Sequence, residues 1–406
     1  MKRDERFAEE AGRDAERMTA FLSDLIARPS LSRREDAVVQ RIASEMTDLG
    51  FDEVTVDGFG SVIGRIGDGP VHIVYDSHID VVDVGDPATW KTRPFEPVIE
   101  GRTLYGRGAS DNKAATASMV YGAAMIKRLG IDASRFTIHV IGTVQEEDCD
   151  GLALEHILTK ELPDVKLVVL GEATNLQVYR GHRGRVEFAV HTRGRAAHAS
   201  APERGINAIY KMAPILQQIE ELNDRLSVDP FLGKGTVVVS RVEAQTPSIN
   251  AVPDGCTIYL DRRLTLGESV ESARNELESL PAVQDGEATI ELLSYEGKSY
   301  TGLTLVTDKY FPTWVIPESD PAVAAGVGAA ERALGRTPEV GRWVFSTNGV
   351  ASAGKLGITT IGFGPSNEVW AHSPDDQCPI DDLPQAAAWY AAFPEVYLSA
   401  SGERAG

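Results

Sequence analysis

The sequence predicts an α/β protein built on a mixed, largely parallel sheet and interrupted by an inserted ferredoxin-like α+β unit. Three observations carry that expectation. Short β-rich runs alternate with long helical stretches before residue 183, the order becomes β-α-β-β-α-β between 183 and 297, and the alternation then resumes. At 406 residues the chain also exceeds the roughly 250–300 residues that one hydrophobic core serves. The expected organisation is a discontinuous domain, 1–182 and 298–406, around an insert at 183–297.

Met18, Phe21, Leu22, Leu25 and Ile26 recur at the spacing of one helix face, and Pro29 closes that helix. Ser32 and Glu35 read as a capping box for a second helix, whose apolar stripe Val38, Val39, Ile42, Met46 and Leu49 stops at Gly50. β-rich runs follow over Glu53–Val56, 61–66 and 71–75, then a long helix over 111–129 and strands over 136–141 and 166–170. Strands separated by helices pair in parallel, with helices on both faces. The insert reads as strand 186–192, helix 205–222, strands 236–242 and 256–262, helix 268–280 and strand 288–293. Pro214 predicts a kink or an early break in the first of these helices. After Tyr300 a helix over 322–334 and a strand over 359–363 restore the α/β pattern.

Composition narrows the function. Hydrophobic residues make up 42% and charged residues 25%, ordinary for a globular protein. The apolar-leaning stretch 114–126 is broken by Thr116, Ser118 and Gly122 and stops at Lys127, well short of a span, so no membrane is expected. The charged N-terminal run through Arg17 shows no apolar core of a secretory signal. Cys149, Cys256 and Cys378 form no CxxC pair and suit a reducing compartment, so a cytoplasmic location is expected. A net charge of −20 repels phosphate backbones and argues against a nucleic-acid partner.

Six residues between His78 and His372 carry the chemistry: His78, Asp80, Asp111, Glu147, Glu172 and His372, most of them just after a β-rich run. In open α/β sheets ligands collect beyond the carboxyl ends of the strands, so these positions should converge on one rim. Imidazoles and carboxylates in that number suit two divalent ions with a carboxylate between them. His78 and Asp80 share one face of an extended segment, which casts Asp80 as an acceptor that fixes the His78 tautomer rather than as a ligand. Adjacent Glu146 and Glu147 cannot both point the same way; Glu147 is assigned to metal and Glu146 to proton transfer. Cys149, close by, reads as a buried bystander. Singly, each pattern has an ordinary explanation, since adjacent glutamates are usually a solvated face. Their joint occurrence at predicted strand ends points to a metal-dependent hydrolase, with a metal-binding assembly protein lacking turnover as the non-enzyme alternative.

The segments Ser77-His78-Ile79-Asp80-Val81-Val82, Gly106-Arg107-Gly108-Ala109-Ser110-Asp111-Asn112-Lys113, Gln145-Glu146-Glu147, Gly171-Glu172-Ala173-Thr174, Ala196-Ala197-His198 and Ala371-His372 resemble the M20 family of metallopeptidases and amidohydrolases. That family includes aminoacylases, acetylornithine and succinyl-diaminopimelate deacylases, and glutamate carboxypeptidases. The resemblance runs the length of the chain and is tightest to the YgeY-like branch, labelled selenium-metabolism-linked hydrolases, through residues 145–151, 179–185, 310–314 and 345–350. No residue here speaks to selenium. Ala114 departs from the glycine of many relatives, a mild change on a helix.

The resemblance implies a metallopeptidase-like catalytic domain in which His78, Asp111, Glu147, Glu172 and His372 hold two divalent ions, Asp111 bridging them. Glu146 would be the general acid/base and Asp80 the orienter. The insert would be a lid and dimerisation domain, making the protein a homodimer. His198 would reach the partner's site to stabilise the oxyanion, and Asn250 and Arg263 would contact a carboxylate on a small-molecule substrate. The implied reaction is cleavage of an amide-type C–N bond in an N-acyl amino acid or short peptide, with N-carbamoyl amino acid hydrolysis as the alternative. Zinc is the first expectation for the metal, with manganese or cobalt as alternatives, because oxygen and imidazole ligands discriminate poorly among them.

Overall fold

In the computed structural model, which describes residues 3–402, eight strands form one sheet. Their order is Glu53–Val56, Val62–Ile66, Phe136–Thr143, Val71–His78, Val165–Leu170, Thr359–Gly362, Val178–Tyr179 and Val340–Gly341. Met1 and Lys2, the start of the run in which no secretory signal was read, lie outside the described residues. The four strands from Phe136–Thr143 to Thr359–Gly362 are parallel, and antiparallel pairs flank them. The expected mixed, largely parallel sheet is present.

Alternate residues of these strands enter two cores, as the period of two requires. Ile73, Tyr75, Ile138, Val140, Leu167 and Val169 join a core with the helices Glu5–Arg13, Ala15–Ile26, Asp36–Asp48, Ala114–Arg128, Pro321–Leu334 and Asp382–Ser401. Val74, Ile141, Val168 and Leu170 point the other way, against Leu152–Lys160, Trp314 and Trp343. A sheet covered on both faces keeps its backbone polar groups paired and leaves its strand ends free to carry polar side chains.

The long helix Asp382–Ser401 was not anticipated. It is buried on nearly every side, from Ala386 through Tyr390 to Phe393, so no one-sided apolar stripe marks it in the sequence. Trp389 stacks between Phe363 and Phe393 at centroid distances of 4.2 and 4.7 Å, and its Nε1 donates to the Gly326 carbonyl at 2.9 Å. Trp389→Ala is expected to destabilise the fold by about 3–5 kcal/mol, read as a lower urea midpoint with an unchanged slope.

A second, five-stranded sheet has the order Thr236–Gln245, Gly255–Leu264, Gly184–Arg193, Thr289–Leu292, with the short strand Tyr310–Phe311 also paired to Gly184–Arg193 and every pair antiparallel. Its helices Ala208–Arg225 and Val270–Glu278 pack over Val186, Phe188, Val190, Ile258 and Leu260 in a separate core. Strand order and helix placement are those of a ferredoxin-like unit.

Three local expectations are corrected. The helix Ala208–Arg225 continues through Pro214, so the early break does not occur; Pro214 sits on the exposed outer face, where water can satisfy the carbonyl it leaves unpaired. The long helix starts at Ala114, because Ala109–Lys113 forms a wider turn that includes non-helical Asp111 and Asn112. No capping box forms at Ser32 and Glu35. Ser32 Oγ donates to Asp80 Oδ2 at 2.6 Å, and Glu35 Oε1 accepts from Arg33 N at 2.9 Å and Gln145 N at 3.1 Å, so tertiary partners take both side chains. No helix among the described residues is long and apolar enough to cross a membrane.

Candidate metal centre

The parallel strands deliver the candidate ligands to one edge. His78 ends the strand Val71–His78, Glu146 and Glu147 follow Phe136–Thr143, Glu172 follows Val165–Leu170, and His372 lies beyond Thr359–Gly362. Asp111 arrives from the turn before the helix Ala114–Arg128. Gly108, at φ +87°, makes that turn possible. The buried Asp376 carboxylate then holds it, accepting from Gly108 N at 2.6 Å, Ser110 N at 2.8 Å and Arg107 Nη1 at 3.1 Å.

The two oxygens of Asp111 face opposite ways. Oδ1 lies 2.8 Å from His78 Nε2, which is also 3.6 Å from Glu172 Oε1. Oδ2 lies 3.2 Å from His372 Nε2, which is 2.9 Å from Glu147 Oε2. Two donors each about 2.1 Å from a tetrahedral ion stand about 3.4 Å apart, within the span of these separations. Donor atoms of His78, Asp111 and Glu147 all lie within 4.8 Å of one another. Glu147 Oε1 is buried without a hydrogen-bond partner among the described residues, an acceptor that a cation would satisfy. The donor types and spacings of His78, Asp111, Glu147, Glu172 and His372 therefore fit divalent cations.

Electrostatics point the same way. Burial pushes Glu147 up to about 7 and holds Glu146 and Glu172 well above the usual carboxylate range. Burial also acts upward on Asp111, but hydrogen bonds from His372 and His78 outweigh it and take its pKa below the ordinary value. Hydrogen bonds to Asp111 and Glu147 push His372 up to about 10. Burial opposes the charged form of His78, yet the negative charges of Glu172 and Glu146 lift its pKa well above normal. Protons thus compensate a buried cluster of acids, and a divalent cation would have to displace them. Zinc affinity is accordingly expected to rise by about tenfold or more per pH unit between pH 6 and 8, because an ion bound beside His372 displaces its proton and, toward the lower end of the range, that of Glu147 as well. Competition titrations across that range check it; an affinity independent of pH would contradict it.

Asp80 acts through both its carbonyl and its carboxylate. Its backbone oxygen takes His78 Nδ1 at 3.0 Å, which leaves Nε2 for Asp111, while its carboxylate stands 3.6 Å from the same nitrogen. That carboxylate accepts from Glu146 N at 3.0 Å and Glu147 N at 3.1 Å. One buried side chain therefore sets the backbone of both glutamates.

A cavity of about 360 Å³ opens onto the cluster. Glu146 and Arg263 line it with the five candidate ligands; His198 and Asn250 do not. Those two are exposed and adjacent, with Ala199 N donating to the Asn250 carbonyl at 2.8 Å and a β-bridge joining His198 to Ala251. Sequence reasoning missed Asp376 and the wall residues Asp150, Arg185, Phe345, Ser346 and Glu368. A signal for the wall was present: Asp150, Arg185, Phe345 and Ser346 fall in the segments 145–151, 179–185 and 345–350. Nothing in spacing ties Asp376 to the 106–113 turn.

The signature of peptidase family M20/M25/M40 matches residues 74–395. The chain is 46% identical over 382 residues to the protein YgeY of Escherichia coli (strain K12), covering 94% of each. It is 27% identical over 256 residues to a succinyl-diaminopimelate desuccinylase of Azoarcus sp. (strain BH72), covering 60% of this chain and 66% of that one. The solved structure of Bacillus subtilis YXEP, described as a dinuclear metal binding peptidase from the M20 family, superposes with a TM-score of 0.69 at 16% identity, covering 98% and 99% of the two chains.

Proposed function

This chain belongs to peptidase family M20/M25/M40 and is a hydrolase acting on C–N bonds; from that premise we propose that it cleaves an amide bond in a small N-acyl amino acid or short peptide with two divalent ions bound. The observation that carries the reading is Asp111, whose two carboxylate oxygens face two different imidazoles, each beside a further carboxylate. The ions are zinc, with manganese or cobalt as alternatives, held by His78, Asp111, Glu147, Glu172 and His372. A dinuclear centre in the structural relative YXEP supports this.

When bound, the ions supply Lewis-acid activation of water and of the scissile carbonyl. Glu146 takes the proton of the attacking water and delivers it to the departing nitrogen. Its burial, which favours the protonated form, suits that second half of the task. Asp80 keeps Glu146 and His78 oriented. Arg263 receives the substrate carboxylate.

Residues 183–297 serve as lid and dimerisation domain, and His198 of a second copy completes the site. Among the described residues the strand Thr236–Gln245 pairs on one side only, with Gly255–Leu264, and so offers an open edge for assembly. His198 Nδ1 accepts from Ser200 N at 3.1 Å, so the neutral ring carries its proton on Nε2, free to donate to an oxyanion. Asn250, beside His198, would travel with it and reach the substrate carboxylate from the second copy. Mixing Glu146→Gln with His198→Ala chains is then expected to restore about a quarter of parental activity, because half the dimers are hybrid and each has one intact site. Activity no higher than in the separate variants would contradict a shared site. Three free, buried cysteines support a cytoplasmic home.

Metal analysis paired with N-acyl, N-carbamoyl and dipeptide substrates tests the whole reading, with products followed by mass spectrometry. Two ions per chain and release of an amine with a carboxylic acid are expected. Carbon dioxide and ammonia would mark a carbamoyl hydrolase, and bound metal with no turnover would contradict the proposal.

A further inference from the structure

Two arginines stand side by side in the cavity wall. Arg185 and Arg263 are direct partners in the register of the antiparallel strands Gly184–Arg193 and Gly255–Leu264, so their side chains leave the same face of the sheet. Both line the cavity that holds Asp111 and Glu146. Like charges placed opposite one another destabilise a sheet, and here each is compensated from one edge. Arg263 gives Nε and Nη2 to Asp261 at 2.7 and 3.0 Å. Arg185 gives Nη2 to Asp150 at 2.9 Å, while its Nη1 stands 3.6 Å from Glu187.

The Arg185 guanidinium lies 4.3 Å from the centre of the Phe311 ring, and its side chain is only 19% exposed. Asp150 compensates its charge in part, and the buried Nε of the same guanidinium has no hydrogen-bond partner among the described residues. Glu187, the nearest acid on its own strand, is already taken by Lys309 Nζ at 2.7 Å. Glu187 and Asp261 oppose each other one step along the same face and stay out of the cavity wall. Both guanidinium groups therefore reach the cavity wall while Glu187 and Asp261 do not, and Asp150, which also lines the wall, joins Phe311 in fixing the plane of the Arg185 fork.

We propose that Arg185 and Arg263 together form an anion clamp that selects substrates bearing a second carboxylate, Arg185 being the residue that determines this specificity. The proposal rests on the reading of the cavity as an amide-hydrolysing site. The second carboxylate belongs either to the side chain of the amino acid or to the acyl group, and the shared requirement is two anionic groups on one small molecule.

The test uses the metal-loaded full chain and two independent readouts. The first is kcat/KM for N-acetylglutamate and N-succinylalanine against N-acetylglutamine and N-acetylalanine, which separates the amino-side from the acyl-side carboxylate. The second is calorimetric binding of glutarate against butyrate, which needs no turnover. At least one diacid is expected to exceed its monoacid counterpart by about tenfold or more. That ratio should collapse in Arg185→Met and persist in part in Arg185→Lys. Equal handling of diacids and monoacids by the parent, or a ratio that Arg185→Met leaves unchanged, would overturn the clamp while leaving hydrolysis standing. A glutarate preference without turnover of any substrate would leave the clamp standing and sink the hydrolytic reading instead.

Discussion

Replacing Glu146 by glutamine is expected to lower kcat about 10²–10⁴-fold, the usual contribution of a general acid/base, while metal content and KM stay near parental values. The amide keeps the shape of the side chain and can still hydrogen-bond, but it cannot accept the proton of the attacking water. Glu146 lies buried in the cavity wall, its backbone N–H fixed by Asp80 Oδ1 at 3.0 Å, and its carboxylate is free of the ion pairs that join Glu147 to His372 and Glu172 to His78. Loss of turnover with two ions still bound would separate proton transfer from metal binding. An activity within about tenfold of the parent would remove Glu146 from the mechanism.

Asp111→Ala is expected to act one step earlier, on the metal. Altering a group that merely orients a ligand weakens metal binding about 10–100-fold, and in the proposed site Asp111 would serve both ions directly, so its removal should exceed that at each. Metal per chain should fall from two to one or none, and hydrolysis should disappear with it. The helix Ala114–Arg128, which follows the turn, is anchored separately by buried apolar residues such as Met119, Val120 and Met125, so a near-parental circular dichroism spectrum is expected. A variant that retained two ions would show that Asp111 does not bridge them.

The convergence of His78, Glu147, Glu172 and His372 was legible because strand-rich runs end just before them and parallel strands present their carboxyl ends on one side. What escaped was tertiary in origin. Ser32 and Glu35 spell a capping box, yet the buried Asp80 and the Gln145 backbone take their hydrogen bonds. Asp376 clamps the turn before Asp111 from 265 residues downstream of it, a pairing that no local pattern encodes. The helix Asp382–Ser401 is apolar all round, so it lacks the one-sided periodicity that reveals a surface helix. Arg185 looked like one charge on a strand, and only the register with Arg263 turns it into half of a pair facing a cavity.

The most direct test is anomalous X-ray diffraction at the zinc edge from crystals of zinc-loaded protein. Two peaks per chain are predicted on opposite sides of the Asp111 carboxylate, one ligated by His78 and Glu172 and the other by Glu147 and His372. No peak between His78 and His372, or zinc bound elsewhere with both imidazoles unligated, would contradict the account.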